Sequence, residues 1–308
     1  MVPTASPSIS RLAAMPLRGA IAAAVTPLRD LGRHLDEEGF SPLVRFLAEG
    51  GIDGLLACGT SGEGVLLTVD ERRRAAELFV EARPPGFQVA VHAGAQTTAD
   101  SVALAAHALR IGADAVALIA PPYYPLDAEE LTRHFVAVAS ACDPVPFYLY
   151  EFVGRSGYAI PVEVVERVRG RATNLRGLKV SDTPFDAIRP YLGLNGLDVF
   201  IGSEPLVLRG LDAGAIGAVS GLGTAFPHLT AALVHERSRR AHQQVTMLRE
   251  GLAGIPFHAA LKEVLASADV LTTPDVRSPL RGLTEQERAT VMDLAGRVSA
   301  GADEPGTG

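Results

Sequence analysis

Lys179 and Tyr150 are the residues whose types and placement could carry the most chemistry. The chain has 28 basic residues, and only Lys179 and Lys262 are lysine. Lys179 stands in LRGLKVSD (175–182), a segment that reads as a buried strand. An ammonium there is costly unless it is neutralised or paired. Arginine cannot give up its proton in a protein. A lysine taken out of water can, and then attacks a carbonyl carbon to form a Schiff base. The competing reading is a lysine whose stem lies on apolar surface while its head reaches water. Lys262, in FHAALKEVLAS, falls on an amphipathic helical pattern and is expected on a solvated face. Tyr150 ends VPFYLYE, the run before the lysine's. A phenol there can move a proton to or from a substrate. It can equally be a half-buried aromatic with a hydrogen-bonded hydroxyl.

Other candidates cluster at the ends of apolar runs. GTSGEG (59–64) offers Thr60, Ser61 and backbone N–H groups that could hold a carboxylate or phosphate. It reads equally as a tight strand-to-helix turn capped by Thr60 or Ser61, with Glu63 a first-turn helix carboxylate. Arg155, in VGRSG, could grip a carboxylate with two N–H groups or be an ordinary surface arginine. Tyr123 and Tyr124 carry the same ambiguity as Tyr150. Glu151 would place a negative charge near the others. His92 could face the same site, whereas His107, His134 and His242 fall in helical patterns and read as structural. The histidines show no HxH or HExxH spacing, so no metal is expected. GxSxG is missing, so no Ser–His–Asp arrangement can be picked out, and GTSGEG is neither the dinucleotide GxGxxG fingerprint nor a Walker loop.

These residues need a scaffold that brings run ends together. Eight short apolar runs occur at 19–27, 52–59, 87–94, 113–122, 145–151, 175–182, 197–204 and 215–221. Most are 20 to 35 residues apart, room for a strand and a returning helix. They are apolar on both faces, as parallel strands covered by helices must be. Between them lie helical patterns such as 70–82, 98–112 and 127–140, with Asp70, Thr98 and Asp127 as caps and Gly86 and Gly112 as terminators. Eight such units predict an α/β fold, a (β/α)8 TIM barrel, with the site at the C-terminal ends of the strands. A doubly wound open sheet is the alternative. Three helical patterns follow, at 226–252, 256–268 and 284–300. The expected organisation is a loose extension over 1–17, the barrel over 18–223, C-terminal helices packed on it over 224–300, and a tail over 301–308.

Composition narrows the partners. A net charge of −7 argues against nucleic acid and against a basic membrane-binding surface. No apolar run reaches the roughly 18 residues of a membrane span. The N-terminus lacks the pattern of a secretory signal. Cys58 and Cys142 fit no metal or redox spacing, and buried free thiols suit the cytoplasm.

GTSGE (59–63), GAQTT (94–98), PPYYP (121–125), Tyr150 with GRSG (154–157), and GLKVSD (177–182) resemble the dihydrodipicolinate synthase and N-acetylneuraminate lyase family. The resemblance covers most of the chain. It implies a cofactor-free class I aldolase or related lyase acting on pyruvate or another 2-oxo acid, with or without an aldehyde partner, as a homotetramer or dimer. By position, Lys179 matches the Schiff-base lysine, Tyr150 the proton-moving tyrosine, and Thr60 and Ser61 the hydroxyl pair that holds the keto acid's carboxylate. Tyr124 matches a second tyrosine, linked through Thr60 to Tyr150, which in the synthases reaches a neighbouring subunit's site. Arg155 matches the arginine that binds the second substrate's carboxylate in the synthases. Gly217 and Val219 join the substrate-binding set through the backbone of the eighth run. The chain departs from the family in Glu151, where asparagine is usual, and in Val180 after the lysine. The alternatives are a 2-keto-3-deoxy sugar acid aldolase or dehydratase of the same family, or a non-catalytic ligand-binding barrel.

Overall fold

All eight apolar runs become strands, each trimmed to the part that pairs. The computed structural model describes residues 15–300. The strands are β1 (Gly19–Ala23), β2 (Gly54–Ala57), β3 (Gln88–His92), β4 (Ala115–Ile119), β5 (Phe147–Glu151), β6 (Leu175–Val180), β7 (Asp198–Ile201) and β8 (Gly217–Ser220). They pair in parallel and in sequence order, and β8 closes on β1. The chain is therefore a (β/α)8 barrel. The outer faces of the strands, with Val89, Val116, Leu149, Leu178 and Ile201, pack under the helices in one continuous core.

The inner face forms a second, separate cluster. It holds Ile21, Ala23, Leu56, Ala90, Ala115, Ala117, Tyr148, Phe200 and Val219. Three alanines on β3 and β4 leave room for two large rings, Tyr148 and Phe200, which meet edge to face at 5.9 Å. Leu17 closes this interior. It is buried, and its N–H donates to the Tyr148 hydroxyl at 2.9 Å. Leu17 was expected in a loose extension, and instead its apolar side chain finds the open end of the barrel. Residues 1–14 of that extension and the 301–308 tail lie outside the described residues.

Helices follow the strands: α1 (Phe40–Glu49), α2 (Val69–Ala82), α3 (Thr98–Ile111), α4 (Ala128–Cys142), the single turn α5 (Val153–Ser156), α6 (Val162–Arg169), α7 (Phe185–Leu192) and α8 (Val207–Asp212). The caps move from where the sequence puts them. Thr68, not Asp70, caps α2 in a capping box with Glu71, and Thr97, not Thr98, caps α3. Asp127 caps α4 as expected. Gly112 ends α3 at φ 75, but α2 stops at Ala82, short of Gly86. PLRDLGRHLD forms a two-stranded ribbon, Leu28–Arg29 with His34–Leu35, which no apolar run announces.

Four helices complete the described chain: α9 (Pro227–His235), α10 (Arg239–Gly251), α11 (Phe257–Ser267) and α12 (Glu285–Ala300). The single pattern expected over 226–252 is broken because Arg237 takes a left-handed conformation at φ 55 and Ser238 caps the next helix. Replacing Phe200 with alanine empties the centre of the barrel's inner layer and should cost about 3–5 kcal/mol. Urea unfolding of Phe200→Ala against the parent chain measures this.

Candidate active site

Side chains on a strand alternate, so the inward row of the core layer continues two residues further on. Beyond Gly177 comes Lys179, beyond Tyr148 comes Tyr150, and beyond Ala90 comes His92. Lys179 and Tyr150 are register partners on β6 and β5. Lys179 is 6% exposed, and its Nζ lies 4.1 Å from the centroid of the Tyr150 ring. The amine is thus inside the barrel, and the reading in which its head reaches water is set aside. Gly202, just past β7, makes room for it: a Cβ there would come within 3.1 Å of Lys179 Cε. Tyr150 is buried, and its hydroxyl lies 3.2 Å from Thr60 Oγ1. Ser61 is buried beside Gly221, where a Cβ would lie 3.2 Å from Ser61 Oγ and 3.0 Å from the ring of Phe257. Lys179, Tyr150, Thr60 and Ser61 therefore meet at the C-terminal mouth.

The GTSGEG turn is held from outside the barrel. It opens only a single 3-10 turn, Gly64–Leu66, and α2 starts later with its own cap at Thr68. Glu63 takes φ 56, and its side chain is fully buried. One carboxylate oxygen pairs with Lys262 Nζ, and the other accepts from the Arg277 N–H at 2.6 Å. Lys262 also donates to the Asp275 carbonyl at 2.7 Å. The expectation of a solvated Lys262 is wrong: its side chain is 0% exposed. Burial pulls its pKa below the usual lysine value against the opposing pull of Glu63. One turn earlier on α11, His258 Nε2 donates to the Thr60 carbonyl at 2.9 Å. His258 and Lys262 share a helix face at i, i+4 spacing and grip the turn at two points. The sequence reading missed His258, Phe257 and this grip. The scarcity of lysine that singled out Lys179 applied equally to Lys262.

Three other expected site residues lie elsewhere. Glu151 is 1% exposed, but it follows Tyr150 on the strand and faces the helix layer instead of the mouth. Its Oε2 accepts from the Ile160 N–H at 2.8 Å, and it shares a hydrogen bond with Asp182. Burial, reinforced by Asp182 and opposed by the Ile160 N–H, pushes its carboxyl up to about 8. Gly217 starts β8 in register with Gly19, at the end of the strand away from the mouth, so it is removed from the substrate-binding set. Tyr124 is 71% exposed, and its ring meets that of Tyr123 edge to face at 4.9 Å. Among the described residues it is not joined to Thr60. Val219 lies in the inner layer, in register with Ile21. Arg155 is exposed on α5, with its guanidinium 5.3 Å from the Phe152 ring centroid, and Phe152 lies 6.2 Å from Tyr150. It therefore sits at the rim, two rings from the amine.

Cys58 and Cys142 are buried free thiols, and burial pushes them up to about 11 and about 12. Among the described residues no group of three His, Cys, Asp or Glu is placed to hold a metal ion. No described helix is long and apolar enough to cross a membrane.

A barrel with an interior lysine, a phenol over it and hydroxyls at its mouth has the parts of a class I aldolase. The chain belongs to the dihydrodipicolinate synthetase family, whose pattern matches residues 16–297, and it is a lyase of the class I aldolase type. It is 32% identical over 307 residues to a DapA-like lyase of Halobacterium salinarum, covering 96% of this chain and 98% of the relative. It is 30% identical over 280 residues to the 4-hydroxy-tetrahydrodipicolinate synthase of Syntrophus aciditrophicus, covering 88% and 94%. Among solved structures, the 4-hydroxy-tetrahydrodipicolinate synthase of Methylacidiphilum fumariolicum SolV superposes with a TM-score of 0.85 at 26% identity, covering 92% of this chain and 97% of that one. The sialic acid aldolase of Ruminococcus gnavus shares the fold, with a TM-score of 0.86 at 23% identity over 92% and 96%.

Two substitutions test this architecture. Lys262→Met leaves a buried, unpaired Glu63 and should cost about 3–5 kcal/mol in urea unfolding. The raised Glu151 value means the folded chain keeps a proton that the unfolded chain loses above its ordinary value of 4.5. Its contribution is present below that value and is lost as pH rises toward about 8. Glu151→Gln should therefore flatten the fall in stability across that window, measured by unfolding at a series of pH values.

Proposed function

We propose that the chain forms a Schiff base between Lys179 and pyruvate or a related 2-oxo acid, and uses the resulting enamine to make or break a carbon–carbon bond. The observation that carries this reading is the stack of Lys179 Nζ, the Tyr150 ring and Thr60 Oγ1, at 4.1 Å and 3.2 Å. The unprotonated amine adds to C2 of the keto acid, giving a carbinolamine. The Tyr150 phenol gives its proton to the carbinolamine hydroxyl, which leaves as water, and a protonated imine and a phenolate remain. The imine draws the electrons of a C3–H bond, and the phenolate takes that proton. The enamine then attacks an aldehyde carbon. Tyr150 returns the proton to the new alkoxide, and water releases the product from Lys179.

Thr60 and Ser61, with the backbone N–H groups of their turn, hold the keto acid's carboxylate in this reading. Close approach beside Ser61 is possible because Gly221 has no side chain. Arg155 then selects the partner. With Glu151 turned to the helix layer and holding a proton, the rim keeps one cation and loses the negative charge that would repel an anion. An aldehyde that bears a carboxylate suits this rim. The exposed Tyr123 and Tyr124 rings beside the mouth support a homo-oligomer, a tetramer or dimer, whose second copy covers them. Buried free thiols support a cytoplasmic location.

Borohydride reduction with pyruvate tests the imine. A mass adduct is expected on the peptide carrying Lys179, and none in Lys179→Met. Tyr150→Phe should lose about a hundredfold or more in turnover. A folded parent chain that gives no adduct at saturating pyruvate removes this reading.

A further inference from the structure

The floor of the mouth contains one buried group that the proposed chemistry does not use. His92 ends β3 on the inner face of the barrel and is 7% exposed. Its ring meets that of Tyr150 edge to face, with centroids 5.9 Å apart and planes at 83°. Nε2 accepts from the Ile119 N–H at 3.4 Å, at the end of β4. With Nε2 accepting, the ring proton belongs on Nδ1, and the imidazole also interacts with the backbone of Cys58. Cys58 follows β2, sits at φ 55 and begins the turn that reaches Thr60 two residues later. The imidazole thus ties the ends of three adjacent strands together under the Tyr150 ring.

The surroundings are shaped to this ring. Gly94 has no side chain where a Cβ would lie 2.6 Å from His92 Cε1. Arg72, on α2 and 4% exposed, donates to the His92 carbonyl at 2.6 Å and to the Gly94 carbonyl at 2.7 Å. Burial first, then the charges of Arg72 and Lys179, drive the imidazole down to about 3. It stays uncharged at physiological pH and adds no cation beside Lys179. The ring's polar contacts run to backbone, not to Tyr150 or Lys179.

Resting on the function proposed above, we propose that His92 is a positioning residue for the proton-transfer step. It fixes the Tyr150 ring and the Cys58–Thr60 turn relative to each other, and so sets the Tyr150–Thr60 hydrogen bond on which removal of the C3 proton depends. The amine and its attack on C2 do not pass through His92. The two stages should therefore separate.

The test uses full-length protein with pyruvate and two readouts. Borohydride trapping reports the imine, and exchange of the pyruvate methyl protons with deuterium, followed by proton NMR, reports the enamine. His92→Phe keeps a ring and loses both hydrogen bonds. His92→Asn keeps a donor near the Nδ1 position. His92→Phe should trap adduct to nearly the parent extent but exchange at least about tenfold more slowly, and His92→Asn should recover much of the rate. Exchange by His92→Phe at the parent rate overturns the inference, as does equal loss of exchange and trapping in both variants. Should His92→Phe fail to fold, His92→Gln replaces it. Its amide reaches the Nε2 position and leaves Cys58 unheld, so it should exchange more slowly than His92→Asn, and equal rates overturn the inference. A parent chain that neither traps nor exchanges overturns the proposed function itself, and this inference with it. That failure is visible in the parent alone and so is distinct from failure in the variants.

Discussion

Everything at the mouth follows from placing one amine inside a barrel. Taking an ammonium out of water costs several kcal/mol. A ring face beneath it returns about 0.5–2 kcal/mol. Among the described residues no carboxylate pairs with Lys179, and the nearest acidic residue along β5, Glu151, is turned to the other face of its strand. The closed sheet holds the amine in place. It does so by main-chain register, which sets Lys179 beside Tyr150 on adjacent strands, and by a neighbouring glycine that gives the side chain its space.

The parts of the molecule that do no chemistry support that arrangement from two directions. Below, Tyr148, Phe200 and Leu17 pack the barrel interior beneath the amine. From the side, α11 holds the hydroxyl turn through His258 and Lys262. Glu204, buried at the end of β7, extends the same logic. It accepts from Ser220 Oγ at 2.7 Å and from the Leu222 N–H at 3.0 Å, and it pairs with Arg249 on α10 at 2.6 Å. Arg249 in turn stacks on Phe257 at 4.3 Å. Acids at the strand ends are thus consumed in fastening C-terminal helices to the mouth.

The barrel was legible because its signal is repeated. Eight apolar runs at strand-plus-helix spacing permit little else, and each observed strand falls within its run. Lys179 was legible because a rare residue type stood in an apolar segment. Lys262 was misread because helical periodicity does not show which face of a C-terminal helix finds a buried acid. Glu151 was misplaced for a related reason. A strand buried on both sides gives its alternation no polarity, so inward and outward residues look alike until Tyr150 is seen to face the lysine. Gly217 lay at the wrong end of a four-residue strand whose bounds the sequence left loose. The grip on the turn was invisible because its partners are distant in the chain and share no local pattern.

That distance has a consequence for the order of events during folding. The contact from His258 to Thr60 spans 198 positions. A chain emerging from the ribosome can close its barrel strands before α11 exists, but the hydroxyl turn then has no outside support. Closing so long a loop is slow relative to local contacts. The sheet and its interior amine should therefore form first and the mouth last, leaving an immature barrel whose hydroxyl turn is not yet held in place.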